Sequence, residues 1–561
     1  MLVKLQCDKF ISNGAKRPAI EFHEGLNAIL GDEDRSNSIG KSTLLMIIDF
    51  VFGGEDYVKK CEDVQSNVLE HTINFTFLFD GEEYHFARNT VEYMYVVKCD
   101  KDYNPLADVD KMSIDEYRDF LAEKYAINTE GLSWRGAMSK FIRVYKRETM
   151  DEERPLQAAK QENVKDAIKK YMQQFSRYNI VDAQIKQADK AADERDAFRK
   201  TQQYEHIRAA KNQAEYDENE KKAAALELQE QELAENSSQG LLDLDSIQAQ
   251  RLSELNDLLI NYRRQRARVQ TQLNSLRREM TEGKKSFKKI FSDLERFFPG
   301  EEFKALSDIE QFHQSLSKVL TSEFKETERD LATAYIMLGN EIVRIKEQIA
   351  EVKSIPNVTQ AVLKEYARIT TELNNVREAN KNFKTFEELK KTAAEYASTR
   401  DEVIATQLYE IQKIINDKMR EITARIVKND VQRPPTLNLE KLGKYSFSTK
   451  DDGGSGAQFR GLITFDLANM EVSGIPFIVH DSDLLDPIEK PALTEIIKEY
   501  DAVKERGQQT FVSFRSLDFY AEEAQPMIKQ CKVIELSGNG NQLFGRGWNK
   551  EPLKEEEDKD E

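Results

Sequence analysis

Residues 26–45 read LNAILGDEDRSNSIGKSTLL, and this stretch decides how the N-terminal region folds. The apolar run LNAIL is typical of a buried strand, and it ends at Gly31. The motif GKST then opens the apolar helix KSTLLMIIDFVFG. A strand followed by a glycine-containing loop and a helix that begins with GKST is the setting of a phosphate-binding loop. The sequence therefore predicts a nucleotide site at the start of this helix.

The residues of this loop have separate predicted roles. Gly40 lets the backbone approach the phosphates, Lys41 would reach the β- and γ-phosphates, and the Ser42 hydroxyl would bind Mg²⁺. ATP and Mg²⁺ are therefore the expected cofactors. The residues predicted to bind the nucleotide are Asn37, Gly40, Lys41, Ser42 and Thr43.

The loop departs from the pattern GxxxxGK[ST] in one place. The first glycine of that pattern would fall at position 35, which is Arg35. Either Gly31 takes its role and the loop has grown by four residues, or Asn37 forms the turn. In both cases the acidic residues that follow Gly31 should point away from the triphosphate, because they would repel it.

The middle of the chain, from about 155 to 430, has few prolines and glycines and is rich in helix-forming residues. Two seams of mainly apolar residues are spaced there by three and four positions, and they are joined by a short connector. Such seams predict an antiparallel coiled coil. Interruptions at 235–246 and 354–360 are either a joint in this arm or two unrelated loops. The seams are Leu252, Leu255, Leu259, Tyr262, Arg266, Val269, Leu273, Leu276 and Met280, and Leu331, Tyr335, Leu338, Ile342, Ile345, Ile349 and Val352.

The α/β character returns after about residue 431. The segment GIPFIVHDSD predicts a buried strand that ends in Asp481, where a carboxylate can hold a Mg²⁺-bound water. The segment DDGGSGAQFRGLI is a glycine-rich turn that opens a helix, and LLDPIEK follows the strand. The predicted Mg²⁺ ligands are thus Ser42 and Asp481.

The order of these motifs is phosphate loop, long heptad arm, glycine-rich turn and acidic strand end. It resembles the SMC, RecN and RecF class of ABC ATPases over essentially the whole chain. The resemblance implies that Ser455, Gly456 and Gln458 form a signature-like turn that acts on the nucleotide of a second subunit. It also implies that Asp486 belongs to a D-loop at the dimer seam. Within the class, HDS and GSGAQFRGLITFDLA look most like the SMC-like ATPases of bacterial three-component and Lamassu-type anti-phage systems.

The fold that this resemblance implies is an α/β ABC-type ATPase head formed by both chain ends, with a long antiparallel α-helical coiled-coil arm inserted. The predicted divisions follow the changes in composition along the chain. They are 1–154 for the N-terminal half of the head, 155–285 for the outgoing coiled coil, 286–323 for the arm tip or hinge, 324–430 for the returning coiled coil, 431–548 for the C-terminal half of the head and 549–561 for an acidic tail.

Two departures from the class bear on catalysis. The class has a glutamate directly after the Walker B aspartate, whereas this chain has Ser482, and Asp483 is the candidate to replace that glutamate. The last core strand, TFVSFRS, has no switch histidine, and Ser513 or Arg515 occupies that region. Asp481, Ser482 and Asp483 are the candidate catalytic residues. The chain is then either a slow ATPase or a protein that binds ATP and dimerises without turnover.

Two basic clusters are candidate DNA contacts. Residues 261–290 contain ten Lys or Arg against two acids, a local balance of +8 in a chain whose net charge is −18. This strip either holds DNA phosphates or is a solvated face paired with the acidic partner helix. The DNA-binding candidates are Arg263, Arg264, Lys284 and Lys285 on the arm, and Arg143, Lys146 and Arg147 on the head.

These features predict an SMC-like ATPase whose heads sandwich ATP and close as a homodimeric clamp on double-stranded DNA or its ends. The narrower resemblance implies an effector nuclease and a third small subunit as partners in a defence complex. The alternatives are a RecN-like factor for chromosomal DNA repair and a structural tether. No apolar segment resembles a signal peptide or is long enough to span a bilayer, so we expect a cytoplasmic protein.

Overall fold

The computed structural model divides the chain into two compact units. One comprises Met1–Ala183 and Asp401–Glu561, so both chain ends contribute to it, and the other is Gln184–Arg400. None of the described helices is long and apolar enough to cross a membrane. The structure describes residues 1–32, 39–106, 111–127, 129–204, 208–237, 245–297, 303–354, 360–427, 432–450 and 452–548.

The strands all lie in the first unit. They are β1 (Leu2–Cys7), β2 (Ile11–Ser12), β3 (Ala15–Lys16), β4 (Ile20–Glu21), β5 (Gly25–Leu30), β6 (Thr72–Phe79), β7 (Glu82–Asn89), β8 (Tyr95–Cys99), β9 (Met112–Ser113), β10 (Ile142–Arg143), β11 (Pro435–Lys441), β12 (Lys444–Thr449), β13 (Phe477–His480), β14 (Gln509–Phe514) and β15 (Lys532–Glu535).

The helices of the described residues belong to both units. They are α1 (Lys41–Val51), α2 (Asp56–Lys60), α3 (Glu62–Val68), α4 (Ile114–Lys124), α5 (Trp134–Met138), α6 (Val164–Gln174), α7 (Tyr178–Tyr204), α8 (Gln213–Ser237), α9 (Asp245–Phe297), α10 (Phe303–Ser354), α11 (Gln360–Ile426), α12 (Ser455–Val472), α13 (Lys490–Ala502) and α14 (Gln525–Gln530).

A parallel sheet in the order β10-β13-β14-β5-β15 interleaves strands from the two chain ends. The N-terminal β5 pairs with β14 on one side and β15 on the other. All six residues of β5 and of β14 are buried, as expected for central strands of a parallel sheet, although β14 includes the polar residues Gln509, Thr510 and Ser513. Parallel strands end at a common edge, so the loop after β5 and the residues that follow β13 and β14 meet there. This edge positions the candidate site.

A second, antiparallel sheet has the order β4-β1-β6-β7-β8-β9. Strands β6 and β7 form a hairpin whose turn is Asp80-Gly81, and both turn residues have positive φ, 52° and 82°. This is the two-residue turn that the right-handed twist of a hairpin favours. Between the two sheets, Phe52 after α1 stacks on Phe477 of β13 with ring centroids 3.8 Å apart.

Within the second unit, α9 and α10 form the antiparallel pair that the heptad seams predict. Leu255 and Leu259 of α9 are buried in one cluster with Ile342 and Ile345 of α10. The polar member of the seam is satisfied by a cation–π contact, because the Arg266 guanidinium lies 4.2 Å from the centre of a facing aromatic ring, that of Tyr335 in α10. The predicted coiled coil is thus confirmed for this pair.

The limits of the arm differ from those predicted at 155 and 430. Helix α6 lies in the first unit, where Tyr171 is buried and its hydroxyl donates to Asn469 Oδ1 at 3.0 Å. The end of α11 also belongs to the first unit, and the Asn416 side-chain amide donates to the Leu437 carbonyl at 2.9 Å. Both segments have helix-forming sequences like the arm, so composition could not distinguish them from it.

The outgoing segment consists of separate helices rather than one, because α7 ends at Tyr204, α8 begins at Gln213, and the described residues 208–212 between them are not helical. The interruptions predicted at 235–246 and 354–360 include residues 238–244 and 355–359, which lie outside the described part of the chain. The predicted tip at 286–323 includes residues 298–302, which lie outside the described part of the chain.

Candidate nucleotide site

A cavity of about 520 Å³ opens at the carboxyl edge of the parallel sheet. The start of α1, the residues after β13 and β14, and a C-terminal segment from Gln542 to Trp548 all contribute to its lining. Six residues that the sequence predicts to bind the nucleotide or to act in catalysis line it together. They are Gly40, Lys41, Ser42, Thr43, Ser482 and Asp483.

Gly40 caps the first turn of α1 in a conformation that only glycine adopts readily. Its φ is 101°, and a Cβ placed there would lie 2.6 Å from the Cβ of Leu543. The backbone nitrogen of Leu543 donates to the Ile39 carbonyl at 3.0 Å, which fixes the C-terminal segment against this turn. The first backbone N–H groups of α1 therefore face the cavity without a bulky side chain at their entrance, as anion binding requires.

Gly31 is the glycine that the Lys41 side chain requires. A Cβ on Gly31 would lie 2.8 Å from the Lys41 Nζ atom. The Gly31 nitrogen donates to the Phe514 carbonyl at 3.1 Å, so its position at the end of β5 is fixed. This geometry favours the alternative in which Gly31 takes the role of the first glycine of the motif. Asn37, which forms the turn in the other alternative, lies outside the described residues.

Lys41 is surrounded by acidic groups. Burial lowers the pKa of Lys41, while the carboxylates of Asp481, Asp32 and Asp486 act in the opposite direction. The ammonium group therefore lies where negative charge accumulates, at the helix start that also attracts anions.

Asp481 is held by two hydrogen bonds on one oxygen and none on the other. Its Oδ1 accepts from the Ser513 hydroxyl at 2.8 Å and from the Ser482 backbone nitrogen at 2.9 Å. The Ser482 nitrogen also donates to Ser513 Oγ at 2.8 Å, which completes a closed ring of contacts. Asp481 Oδ2 is buried and has no hydrogen-bond partner among the described residues.

This orphaned oxygen makes the residues fit a Mg²⁺ ion. A buried carboxylate oxygen without a donor is stabilised by a cation or by a cation-bound water. The described residues contain no group of three or more His, Cys, Asp and Glu that could hold a metal by themselves. A metal at this place would thus depend on Asp481, the Ser42 hydroxyl and nucleotide phosphates, which is the usual way in which Mg²⁺ binds.

The residues after Asp481 form a 3₁₀ turn, Ser482–Leu484, and they differ in burial. Ser482 is buried, whereas Asp483 is exposed on the cavity wall. Partial burial raises the pKa of Asp483, and the charges of Asp481 and Asp486 add to this effect. A carboxylate with a raised pKa is better suited to accept a proton than an ordinary aspartate.

Asp486, the D-loop candidate, is ion-paired with Arg515, which follows β14. Arg515 lines the cavity, whereas Ser513 points to Asp481 from the buried side of the strand. The two residues that occupy the region of the missing histidine therefore have different contacts. Alternation of side chains along β14 explains this difference only in part, because Arg515 lies one residue past the strand end.

The head-side basic run is mostly buried, which corrects the prediction that it meets DNA. Arg143 is 0% exposed and makes two 2.7 Å hydrogen bonds to Asp466, and Arg147 is 3% exposed and pairs with Asp56. Lys146 is the exception, since it lines the cavity and pairs with Asp63 at 2.6 Å. Arg143 and Arg147 cannot contact DNA phosphates, because their guanidinium groups already serve buried partners.

Asp466 also accepts a hydrogen bond from His480 Nε2 at 2.9 Å, and His480 Nδ1 contacts the Tyr500 hydroxyl at 2.7 Å. Burial lowers the pKa of His480, although Asp466 opposes this effect. His480 immediately precedes Asp481, and Asp466 lies in α12 behind the signature-like turn. A buried polar network thus joins this helix to the acidic strand end, and sequence reasoning missed it. The signal was the histidine in an otherwise apolar strand.

The signature-like turn does not line the cavity. Ser455 is the first residue of α12 and is exposed, and Gln458 is half-buried one turn later. A Cβ on Gly456 would lie 2.5 Å from the Pro487 carbonyl oxygen, so this glycine permits close contact with the segment after Asp486. The exposed serine at a helix start is available to a ligand outside this chain.

The basic strip of the arm is exposed where it is described. Arg263 and Arg264 are exposed on α9, while Arg277 pairs with Glu328 of α10 at 2.7 Å. The side chains of Lys284 and Lys285 lie outside the described part of the chain. Pairing with the facing helix is thus seen for Arg277, and phosphate binding by Arg263 and Arg264 stays a prediction.

Comparison with known proteins gave a family match and several structural matches. Residues 411–548 match the family model described as "Uncharacterised protein conserved in bacteria (DUF2326)". No curated protein gave a significant match. The chain is similar to an Smc head domain with a coiled coil and joint from Pyrococcus yayanosii, at 14% identity over 97% of this chain and 96% of that chain, with a TM-score of 0.40.

Two further solved structures are similar. One is an Smc head domain with an extended coiled coil bound to the C-terminal domain of ScpA from Pyrococcus furiosus, at 11% identity over 97% of this chain and 94% of that chain, with a TM-score of 0.32. The other is an SmcHead bound to the C-winged helix domain of ScpA, at 10% identity over 94% of this chain and 91% of that chain, with a TM-score of 0.34.

Proposed function

We propose that this chain is an SMC-like ATP-binding protein that clamps DNA and acts as the sensor of a bacterial defence complex. The observation that carries the proposal is that the Lys41 ammonium and the orphaned Oδ2 of Asp481 lie at the same sheet edge, where the Asp481 carboxylate acts on the pKa of Lys41 without being hydrogen-bonded to it. A cation and a bare carboxylate beside a helix start are the elements that bind the phosphates and Mg²⁺ of a nucleotide.

The first test is nucleotide binding. Lys41→Ala should abolish measurable binding of Mg²⁺-ATP by calorimetry, because it removes the cation at the phosphate position. Lys165→Ala is the matched control, since Lys165 is an exposed lysine near the start of α6 and does not line the cavity. Equal ATP affinity in the two variants would overturn the nucleotide site.

The proposed head dimer places the signature-like turn of one subunit on the nucleotide of the other. Ser455 is exposed at the start of α12, where a hydroxyl and free backbone N–H groups can meet a phosphate. Ser455→Arg should bind ATP as a monomer and fail to dimerise in light scattering. Ser446→Arg adds the same charge on the exposed face of β12 and should dimerise normally.

DNA binding is proposed for the exposed strip on α9. Duplex DNA should bind with an affinity that falls steeply with salt, and neutralising Arg263 and Arg264 together with Lys284 and Lys285 should weaken it. Neutralising Lys146 instead tests the head. If only the Lys146 variant loses DNA, the heads hold the duplex and the arm serves partners.

The defence role extends this proposal to partners. ATP-dependent closure on foreign double-stranded DNA or its ends would release an effector nuclease, with a third small subunit in the complex. The test is phage challenge of cells that carry the gene with its chromosomal neighbours. Protection that disappears with Lys41→Ala supports defence, whereas sensitivity to DNA damage in the same variant without any change in phage resistance supports chromosomal repair.

A second candidate, a tether that binds ATP without turnover, is favoured by Ser482. This residue is buried beside Asp481 at the position expected for the carboxylate that activates water. Phosphate release measured with and without DNA separates the two candidates. A slow ATPase releases phosphate faster with DNA, and a tether releases none while still dimerising with ATP.

A further inference from the structure

Arg515 is held in place by a backbone hydrogen bond and by a cation–π contact, and its guanidinium forms an ion pair with Asp486. The Arg515 backbone nitrogen donates to the Tyr520 hydroxyl at 3.1 Å, and the guanidinium carbon lies 5.3 Å from the Phe519 ring centroid. The side chain is 39% exposed and lines the cavity with Lys41 and Ser42. The guanidinium is therefore presented at the place where nucleotide phosphates would enter.

The partner of Arg515 is Asp486, whose carboxylate is incompletely satisfied. One oxygen pairs with the guanidinium, and the other, Oδ1, is buried without a hydrogen-bond partner among the described residues. Burial raises the pKa of Asp486 even though Arg515 opposes this effect. The pair is also partly open to solvent, with side-chain exposures of 39% for Arg515 and 20% for Asp486, and solvent-screened ion pairs are weak, so Asp486 is a weak competitor for the guanidinium.

We propose that the Arg515 guanidinium exchanges Asp486 for a phosphate of the bound nucleotide, an inference that rests on the proposed nucleotide site. Asp486 then competes with the triphosphate for Arg515. A guanidinium binds carboxylate and phosphate oxygens through the same planar pair of N–H groups. The phosphates of bound ATP would lie between Lys41 and Arg515, and the longer triphosphate reaches Arg515 better than a diphosphate does. Arg515 thereby distinguishes ATP from ADP.

The exchange has a route to the dimer surface. Asp486 lies one residue before Pro487, whose carbonyl oxygen is in close contact with Gly456 at the start of α12. The backbone nitrogen of Asp486 donates to the Ser482 carbonyl at 3.1 Å, which ties the same segment to the acidic strand end. Release of Asp486 from Arg515 therefore frees the segment against which the signature-like turn packs, so that nucleotide occupancy is reported at Ser455.

The experiment is a double-mutant cycle in which the affinities for Mg²⁺-ATP and Mg²⁺-ADP are measured on the full chain at concentrations where it is monomeric. Arg515→Gln should weaken ATP binding about 10- to 100-fold, the usual value of a hydrogen bond to a charged group, and ADP binding much less. Asp486→Asn should strengthen ATP binding by about twofold to fivefold. This gain in affinity should disappear in the Arg515→Gln background, because there is then no guanidinium for which Asp486 and the phosphate compete.

Asp63→Asn is the matched control, since Asp63 is another acidic residue of the cavity wall but pairs with Lys146, whereas Arg515 pairs with Asp486. Its effect on ATP affinity should be the same in the wild-type and the Arg515→Gln backgrounds. The exchange is refuted if Asp486→Asn behaves like this control, or if Arg515→Gln weakens ATP and ADP equally. Wild-type protein that binds neither nucleotide overturns the proposed function together with the exchange, whereas Lys41-dependent ATP binding without the coupling overturns the exchange alone. Circular dichroism of each variant confirms that the fold is intact.

Discussion

Gly31→Ala tests the assignment of the first loop glycine, and the structure gives the size of the perturbation. The added Cβ would lie 2.8 Å from Lys41 Nζ and 3.3 Å from Lys41 Cδ. The first distance is shorter than carbon and nitrogen tolerate, so the far end of the lysine side chain must move. Because the lysine chain is flexible, the fold should lose at most about 1 kcal/mol of stability.

The displaced ammonium should cost ATP binding far more than folding. Losing a hydrogen bond to a charged group costs about 1.5–3 kcal/mol, which corresponds to about a 10- to 100-fold increase in the Kd for ATP. Isothermal titration with Mg²⁺-ATP measures the effect, and thermal unfolding checks the fold. Gly443→Ala is the matched control, because a Cβ at Gly443 meets nothing within 4 Å. ATP affinity unchanged by Gly31→Ala would show that Lys41 does not bind the phosphates from this position.

Three further outcomes are expected. Arg143→Met should lower the free energy of unfolding, measured by urea denaturation, by about 3–5 kcal/mol, because its carboxylate partner Asp466 is left buried and unpaired. The control Lys146→Met should lose less than about 1 kcal/mol, and equal losses in the two variants would contradict the difference in burial. Replacing Arg263 and Arg264 by Gln should reduce the slope of log K against log salt for DNA binding by about 2, and an unchanged slope would exclude both as phosphate contacts. Asp483→Asn should slow any ATP turnover by about 10²- to 10⁴-fold in a phosphate-release assay, and full turnover would mean that another group accepts the proton.

The local spacing of apolar residues was enough to predict single strands, single helices and the paired helices of the arm. Strand β5 and helix α1 have apolar runs with a glycine-containing loop between them, and the α9–α10 seam has a regular spacing of three and four. The limits of the arm could not be predicted in this way. Helix α6 is rich in helix-forming residues like the arm, and long-range contacts such as those of Tyr171 with Asn469 and of Gln174 with Ser473 place it in the first unit.

In the candidate site, too, the short motifs could be predicted from the sequence, whereas contacts between residues far apart in the chain could not. GKST and the aspartate at a strand end are visible in the sequence, whereas the Ser513–Asp481 hydrogen bond joins residues that are 32 positions apart. Arg143 was misread as a surface cation because charge was counted without its neighbours. Phe141, Ile142 and Val144 around it are all buried, and an arginine inside such an apolar run is a signal of a buried ion pair.

The acidic residues around Lys41 bear on whether the proposed nucleotide site needs a divalent cation. Asp32 Oδ2 accepts a hydrogen bond from the Gly538 nitrogen at 2.8 Å, Asp486 is paired with Arg515, and Asp481 Oδ1 is held by Ser513. Asp481 Oδ2, like Asp486 Oδ1, is left without a hydrogen-bond donor among the described residues. A triphosphate that entered alone would add negative charge beside this oxygen, and the repulsion would oppose what Lys41 gains. Under the proposed function, a Mg²⁺ ion bound with the phosphates would satisfy the orphaned oxygen and screen the phosphates from it, so the same buried carboxylate that opposes free ATP would favour Mg²⁺-ATP.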